Sequence, residues 1–252
     1  MRYKEFTIEG RNAVLEAFRS GKTIDKLFVL DGCQDGPVKS IIREAKKTDT
    51  IINFVDKERL DRLAGTGHHQ GVVAQAAAYE YAEVEDILKA AKDKGEAPFI
   101  FILDEIEDPH NLGAIIRTAN QAGAHGVIIP KRRAVGLTAT VAKTSAGAIN
   151  YTPVAKVTNI SKTIEDLKKQ GMWFVCADMD GTTMYDLNLT GPIGLVIGNE
   201  GSGVGRLVKE KCDFVASIPM KGDIDSLNAS VAAGVLAYEI AVSYTHLRAH
   251  ET

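Results

Sequence analysis

Residues 99–129 read FIFILDEIEDPHNLGAIIRTANQAGAHGVII, and they contain one strand, one helix and a second strand in succession. The apolar run 99–103 has the length and residue types of a buried strand, and 126–129 repeats them. Between the two runs, apolar residues recur at helical spacing over 112–122, and Gly123 follows as a helix C-cap. Strands joined through a helix pair in parallel, so this stretch predicts an α/β fold.

The same alternation continues outward in both directions. Helical patterns cover 37–47, 160–170 and 204–211, and a strongly apolar helix covers 227–242. Strand, helix and strand in repetition predict an α/β architecture with a mainly parallel sheet. The further candidate strands cover 24–30, 51–55, 71–76, 173–177, 193–197 and 215–219.

The composition is that of an ordinary globular protein. Of the 252 residues, 45% are hydrophobic and 25% are charged, which excludes disordered and low-complexity classes. The three cysteines (Cys33, Cys176 and Cys212) form no CxxC pair, so we expect neither a disulfide framework nor a metal site. The net charge of −3 argues against a generally basic nucleic-acid binder, although an average does not say where the charges lie.

No segment is typical of a membrane anchor or a signal peptide. The longest nearly uncharged apolar stretch, 230–242, is too short to span a bilayer, and the N-terminal residues have no apolar core of signal-peptide type. We therefore expect a cytoplasmic protein without membrane contact. The last ten residues, SYTHLRAHET (243–252), break the helical pattern before them, and we interpret them as a non-native tail, with a natural disordered tail as the alternative.

The length favours two domains, and the sequence suggests where they divide. Residues 79–97 form an acidic helical stretch rich in alanine and lysine. We interpret this stretch as a linker between a small α/β domain (1–78) and a larger one (98–242).

Three segments of the larger domain carry polar residues where a predicted strand ends or a helix begins. The first is the helix start after 99–103, which displays Asn111 and, further along, Arg117. Helix N-terminal amides and a guanidinium both suit a phosphate. A capping asparagine and a solvated arginine are the alternative interpretation, which this segment alone slightly favours.

The second segment is GLVIGNEGSGV (194–204), an apolar strand that ends in a glycine-rich loop around Glu200. Its spacing matches neither GxGxxG nor GxxxxGK[ST], which disfavours nicotinamide and ATP sites. Glycines at 198, 201 and 203 allow a ligand to approach the backbone closely, and Glu200 can orient a hydroxyl or a cation. Generic turn glycines with a surface glutamate are the weaker alternative.

The third segment is ASIPMKGDIDSLNASVAAGVLAYE (216–239), a strand, a loop and the start of the apolar helix. Ser226 or Asn228 could simply cap this helix, with Asp225 favourable to its dipole. For each residue taken separately, that interpretation competes with a functional one.

Together and in this order, the three segments resemble the SpoU (TrmH-type) RNA ribose 2′-O-methyltransferases of the SPOUT class, over roughly 99–242. The matching motifs are NLGAIIRTANQAGA (111–124), VIGNEGSGV (196–204) and IPMKGDIDSLNASVAAGVLAYE (218–239). The pieces GRNAVLEAFRSG (10–21) and HHQGVVA (68–74) are similar to the L30e-like substrate domain of rRNA-modifying members.

This resemblance implies a SPOUT-type α/β domain with a parallel sheet and a deep trefoil knot, preceded by a small L30e-like domain. It also implies S-adenosylmethionine as cofactor, RNA as substrate and a homodimer through the knotted domain. The separate first domain favours a guanosine of 23S rRNA as the target, and a tRNA guanosine is the alternative. The implied catalytic residues are Asn111, Arg117, Glu200, Ser226 and Asn228, and the implied cofactor-binding residues are Gly198, Gly203, Ile218, Met220 and Leu227.

Charge placement supports an RNA partner. Residues 109–164 contain no acidic residue and seven lysines and arginines. We interpret Arg117 as a clamp on the phosphate beside the target ribose, because a guanidinium stays protonated and is therefore a poor base. The predicted RNA-binding residues are Lys131, Arg132, Arg133, His68 and His69.

Two other classes of function remain as alternatives. A non-catalytic RNA-binding module would use the same basic residues without a cofactor loop. A nucleotide-dependent enzyme of the doubly wound type is disfavoured by the absence of both nucleotide fingerprints.

Overall fold

The computed structural model describes residues 7–223 and 226–250 of the chain, with side chains up to residue 243. These residues divide into two units, one made of residues up to 80 together with 136–140, and one made of 81–135 and the residues from 141 onward. Among the described residues, no helix combines the length and the apolar character that crossing a membrane requires.

The first unit is built on a mixed four-stranded sheet in the order β1-β4-β2-β3, in which β2 and β3 are parallel and the other pairs are antiparallel. Aspartates at 35 and 56 cap two of its helices by accepting the amides of Val38 and Arg59 at 3.1 and 2.7 Å. Its elements are β1 (Thr7–Glu9), α1 (Arg11–Arg19), β2 (Ile24–Leu30), α2 (Gly36–Lys47), β3 (Ile51–Val55), α3 (Lys57–Leu63) and β4 (Val72–Ala76).

The second unit is built on a six-stranded sheet in the order β10-β8-β9-β5-β6-β7, and every pair in it is parallel. The α/β fold with a parallel sheet is therefore confirmed. Its strands are β5 (Phe99–Leu103), β6 (Gly126–Pro130), β7 (Val154–Val157), β8 (Trp173–Thr183), β9 (Ile193–Ile197) and β10 (Phe214–Ser217), and its helices are α4 (Val84–Lys94), α5 (Pro109–Gln121), α7 (Ile160–Lys168), α8 (Arg206–Lys209) and α9 (Ala229–His250), with α6 (Ala139–Thr144) at the division between the units.

The central strands β5 and β9 are buried along their whole length. Strands covered on both faces need uninterrupted apolar runs, and FIFIL and IGLVI supply them. Because parallel strands end at the same edge of the sheet, the polar residues that follow β5 and β9 are brought together there.

The stretch that the sequence suggests as a linker contains α4, which packs on the second unit. Ile87 of α4 is fully buried in the same core cluster as Ile100 and Ile102 of β5. Gly126 makes room for it, since a Cβ there would lie 2.6 Å from the Ile87 side chain. The apolar face of α4 is thus covered by the sheet of the second unit, to which the helix belongs.

Two elements extend beyond the ends expected from the sequence. Strand β8 continues to Thr183 because it resumes pairing with β10 after an irregularity, so that Cys176 faces Val215 and Thr182 faces Ala216. Helix α9 continues to His250, past the predicted end at residue 242, and the side chains of His246 and His250 lie outside the described residues.

Candidate functional site

The three polar segments meet in a cluster of Asn111, Glu200 and Asn228 at the carboxyl ends of the strands. The Nδ2 of Asn111 donates to Oε1 of Glu200 at 2.8 Å. The Nδ2 of Asn228 donates to Oδ1 of Asn111 at 3.0 Å and also to Oε1 of Glu200. We call these three residues the Asn–Glu–Asn cluster; it joins the N-terminal turn of α5, the loop after β9 and the start of α9.

The orientation of the Asn228 amide is fixed by the helix that follows it. Its Oδ1 accepts the amide and the hydroxyl of Ser230 at 3.0 and 2.6 Å, and its carbonyl accepts the amide of Val231 at 3.0 Å. Asn228 is therefore the N-cap of α9, and its Nδ2 must point toward the cluster. The capping and functional interpretations, which the sequence offers as alternatives, apply to the same side chain.

Glu200 keeps one oxygen available. Its Oε1 accepts both asparagine amides, whereas Oε2 makes no hydrogen bond with the residues that the structure describes. Asn111 is only 7% exposed, so the cluster has a buried side on α5 and an open side at Glu200. Such an arrangement can orient a hydroxyl group that approaches from the open side.

The glycine-rich loop around Glu200, residues 198–205, is closely packed on itself. Asn199 accepts the amides of Gly201 and Ser202 through Oδ1 at 2.9 and 2.7 Å, and its carbonyl accepts the amide of Gly203 at 2.9 Å. A Cβ on Gly198 would overlap the backbone of Gly203, which itself has φ +66°. Gly198 has no room for a side chain because the loop folds back on it, whereas the left-handed backbone at Gly203 favours glycine and has open space where a Cβ would point.

Asp104, directly after β5, is a residue of this site that the sequence does not single out. Its Oδ2 accepts the amide of Gly205 at 2.8 Å, and the residue is only 8% exposed. Burial raises the pKa of this carboxyl, while the hydrogen bond from Gly205 opposes the rise. A carboxylate directly after the apolar run FIFIL is the one signal that could have indicated it.

Two of the implied catalytic residues lie outside the cluster. Arg117 is exposed on α5, and Ser226 is exposed just before α9. Neither makes a hydrogen bond or an ion pair with the described part of the chain. Among the implied cofactor-binding residues after β10, Ile218 and Leu227 are half-buried and Met220 is 40% exposed. Asp225 lies outside the described residues.

The acid-free stretch 109–164 is partly neutralised by carboxylates just outside it. Arg133 donates to Glu105 at 2.9 Å, and Lys162 is paired with Asp166 at 2.8 Å. Arg132, in contrast, is exposed and makes no ion pair with any described residue. The surface is therefore less positive than the seven cations in the sequence suggest.

The two neighbouring histidines of the first unit have different surroundings. His69 is 7% exposed, accepts the amide of Gly71 at Nδ1 (3.0 Å) and contacts Asp61 through Nε2 at 2.8 Å. Both of its ring nitrogens are therefore used inside the unit. His68 is exposed, so of the two it is the one that can reach a phosphate.

Comparisons with known proteins identify both parts of the chain. The SpoU rRNA Methylase family model matches residues 98–238, and a model described as RNA 2′-O ribose methyltransferase substrate binding matches residues 7–82. The Bacillus subtilis protein YacO, named for the TrmH family of tRNA/rRNA methyltransferases, is 54% identical over 233 residues, which cover 92% of this chain and 93% of that protein.

Two solved structures have a similar fold. The SpoU methyltransferase AviRb from Streptomyces viridochromogenes, in complex with AdoMet, has a TM-score of 0.60 at 23% identity and covers 97% of this chain and 91% of its own. An AdoMet-bound rRNA methyltransferase from Sinorhizobium meliloti has a TM-score of 0.59 at 24% identity and covers 96% of this chain and 88% of its own.

Proposed function

This chain belongs to the SpoU rRNA methylase family, and is thus an RNA methyltransferase; we propose that it methylates the ribose 2′-hydroxyl of a guanosine in 23S rRNA. The Asn–Glu–Asn cluster carries this proposal, because it gathers three polar segments into one site that can orient a hydroxyl. A substrate-binding unit preceding the catalytic one favours rRNA over tRNA, as does the rRNA methyltransferase that covers 96% of the chain. A tRNA guanosine is the second candidate, since YacO is named for both RNAs.

The proposed cofactor is S-adenosylmethionine, which supplies a methyl group on a positively charged sulfur. The proposed roles of the two glycines differ: Gly198 lets the loop fold back on Gly203, and Gly203, with open space where a Cβ would point, lets the ligand approach the backbone. Half-buried Ile218 and Leu227 offer apolar contacts to it, and Met220 is the more exposed member of the proposed set. The related AviRb structure contains AdoMet.

The proposed roles follow from the surroundings of each residue. Arg117, exposed and without a described partner, is the proposed ligand of the phosphate next to the target ribose, and its charge would lower the pKa of the 2′-hydroxyl. Ser226 and the free Oε2 of Glu200 orient the ribose, and Asn111, whose amide oxygen and nitrogen are both bonded inside the cluster, positions Glu200 together with Asn228. Since a guanidinium stays protonated, Arg117 does not accept the hydroxyl proton.

Substitution of Arg117 tests this assignment. Arg117→Lys keeps the charge but loses the planar fork, so we expect turnover to fall about 10- to 100-fold, the value of a charge-assisted hydrogen bond. Binding of S-adenosylmethionine, measured by calorimetry, stays unchanged. Transfer of labelled methyl groups to RNA is measured for Arg117→Lys and for a control variant, Arg206→Lys. The control is a conservative change in a surface ion pair with Glu210. Turnover near the wild-type level in Arg117→Lys contradicts the clamp.

RNA is proposed to contact both units. In the second unit the candidates are Lys131, Arg132 and Arg133, of which Arg133 is already paired with Glu105. In the first unit the exposed His68 is the stronger candidate. Mapping of 2′-O-methyl groups in rRNA and tRNA from cells that lack the gene identifies the substrate; a missing methyl group in tRNA instead of 23S rRNA overturns the proposed target.

We also propose a homodimer through the second unit, in the cytoplasm. Val231, Tyr238 and Val242 are 50%, 51% and 45% exposed, and their spacing places them on one stripe of α9. A second copy would cover this apolar stripe. The proposed knot is supported by the return of the chain after β10, which brings Asn228 back to Glu200. The proposed domains remain 1–78 and 98–242, and the connecting stretch 79–97 contributes α4 to the core of the second unit.

A further inference from the structure

Asp104 is a buried carboxylate without a counter-ion among the described residues. It is 8% exposed, and its side chain is bonded to the amide of Gly205 at 2.8 Å. Aspartate is rarely buried unless it is paired, because burial of an ionised group is unfavourable. A position that served packing alone would be filled as well by an apolar residue, so a hydrogen-bond acceptor at this place calls for another explanation.

The contacts of Asp104 join the two ends of the glycine-rich loop 198–205. Its backbone amide donates to the carbonyl of Ile197, the residue before the loop, at 2.8 Å. Its side chain accepts the amide of Gly205, the residue that ends the loop and caps α8. One residue thus fixes the distance between the entrance and the exit of the loop that carries Glu200.

The fit around Gly205 is close. A Cβ on Gly205 would lie 3.0 Å from Oδ2 of Asp104, so the hydrogen bond requires glycine or a small displacement at this position. The carbonyl of Gly205 in turn accepts the amides of Val208 and Lys209 at 2.9 Å each, which ties the loop exit to the first turn of α8. The hydrogen bond to Asp104 therefore sets the position of both the loop and the short helix.

We infer that Asp104 is a positioning residue that clamps the glycine-rich loop, so that Glu200 meets Asn111 and the loop backbone is shaped for the cofactor. It touches neither the cluster nor, by our proposal, the substrate, and it acts through Gly205. The inference rests on the proposed cofactor site for its effect on binding, but the clamp itself is a property of the protein alone. The raised pKa of the carboxyl agrees with a group held in the interior for this one hydrogen bond.

The test compares Asp104→Ala with Asp104→Asn. Alanine leaves the buried Gly205 amide without an acceptor, whereas asparagine keeps an oxygen at the same place. We expect Asp104→Ala to weaken S-adenosylmethionine binding in calorimetry about 5- to 150-fold, the range for a lost buried partner, and Asp104→Asn to stay within about 3-fold. Asp186→Ala, at an exposed carboxylate with no described partner, is the matched control.

Hydrogen exchange gives a second readout that needs no cofactor. In Asp104→Ala the amides of 199–205 should exchange faster than in the wild type, while β5 and β9 keep their protection; in Asp104→Asn the loop should keep its protection. If Asp104→Ala fails to fold, an NMR titration of the Gly205 amide resonance replaces it. In the wild type this resonance should shift as the Asp104 carboxyl titrates, and in Asp104→Asn the shift should be lost.

Three results overturn the inference: unchanged loop exchange and cofactor affinity in Asp104→Ala, an asparagine variant as impaired as the alanine variant, or a Gly205 resonance that ignores pH. The second result would mean that the charge, and not the hydrogen bond, is required. If the wild type fails to bind S-adenosylmethionine but Asp104→Ala still loosens the loop, the proposed cofactor site is wrong and the clamp stands.

Discussion

The sharpest test of the glycine-rich loop is the addition of one methyl group at Gly198. A Cβ at this position would lie under 3.0 Å from the backbone of Gly203 and Val204, and neither can rotate away as a side chain would. Forcing a methyl group into a packed site costs about 1–3 kcal/mol. If the added methyl group destabilises the loop conformation that binds the cofactor by this amount, Gly198→Ala weakens S-adenosylmethionine binding about 5- to 150-fold.

The same loop supplies the control for this experiment. A Cβ on Gly201 would lie 3.6 Å from Oδ1 of Asn199, which is ordinary van der Waals contact. Gly201→Ala should therefore change affinity by no more than about twofold. Both variants are measured by calorimetry with S-adenosylmethionine and by thermal unfolding. The reasoning is refuted if Gly198→Ala binds as tightly as Gly201→Ala and unfolds at the wild-type temperature.

Two further predictions concern charge and pH. Glu105→Gln removes the carboxylate that pairs with Arg133 at 2.9 Å, so one more cation is available to the RNA. The slope of log affinity against log salt concentration should therefore steepen by about 1. An unchanged slope would exclude Arg133 from the RNA-binding surface. Burial lowers the pKa of His125, whose Nδ1 accepts the amide of Phe99 at 3.1 Å, while the contact of Nε2 with Glu96 at 3.2 Å opposes the fall. As the pH falls below 6.5, the ordinary pKa of histidine, the unfolded chain takes up this proton before the folded chain does. The folded state therefore loses stability relative to the unfolded state as the pH falls below this value. His125→Asn should flatten this decline in unfolding temperature; an equal decline in both proteins would assign it to other groups.

The strands and the parallel sheet of the second unit follow from patterns that are local in the sequence. Runs such as FIFIL are apolar at every position because both faces of the strand are covered, and such runs are easily recognised. The four-residue edge strand β7 was not predicted. The ends of the predicted strands differ by only a few residues from the observed ones, except in β8. There the strand resumes pairing with β10 after an irregularity, which no local pattern records.

The site could be predicted in its members but not in its contacts. Asn111, Glu200 and Asn228 are 89 and 28 residues apart along the chain, and the spacing of residues gives no information on which amide faces which carboxylate. Asp104 was missed because a carboxylate after a strand is a common turn residue, and its burial depends on Gly205, 101 residues away. The charge of 109–164 was overestimated for the same reason, because Glu105 and Asp166 lie just outside it and pair with Arg133 and Lys162.

Asn228 both caps α9 and completes the Asn–Glu–Asn cluster, which has a consequence for the order in which the parts of the site form. The amide that begins α9 is also the donor that completes the site, so the cluster cannot close until the first turn of this helix has formed. Asn228 and Ser230 follow Asn111 and Glu200 in the sequence, so the earlier members of the cluster are synthesised before the residues that close it. The cluster therefore forms only after synthesis has passed the first turn of α9.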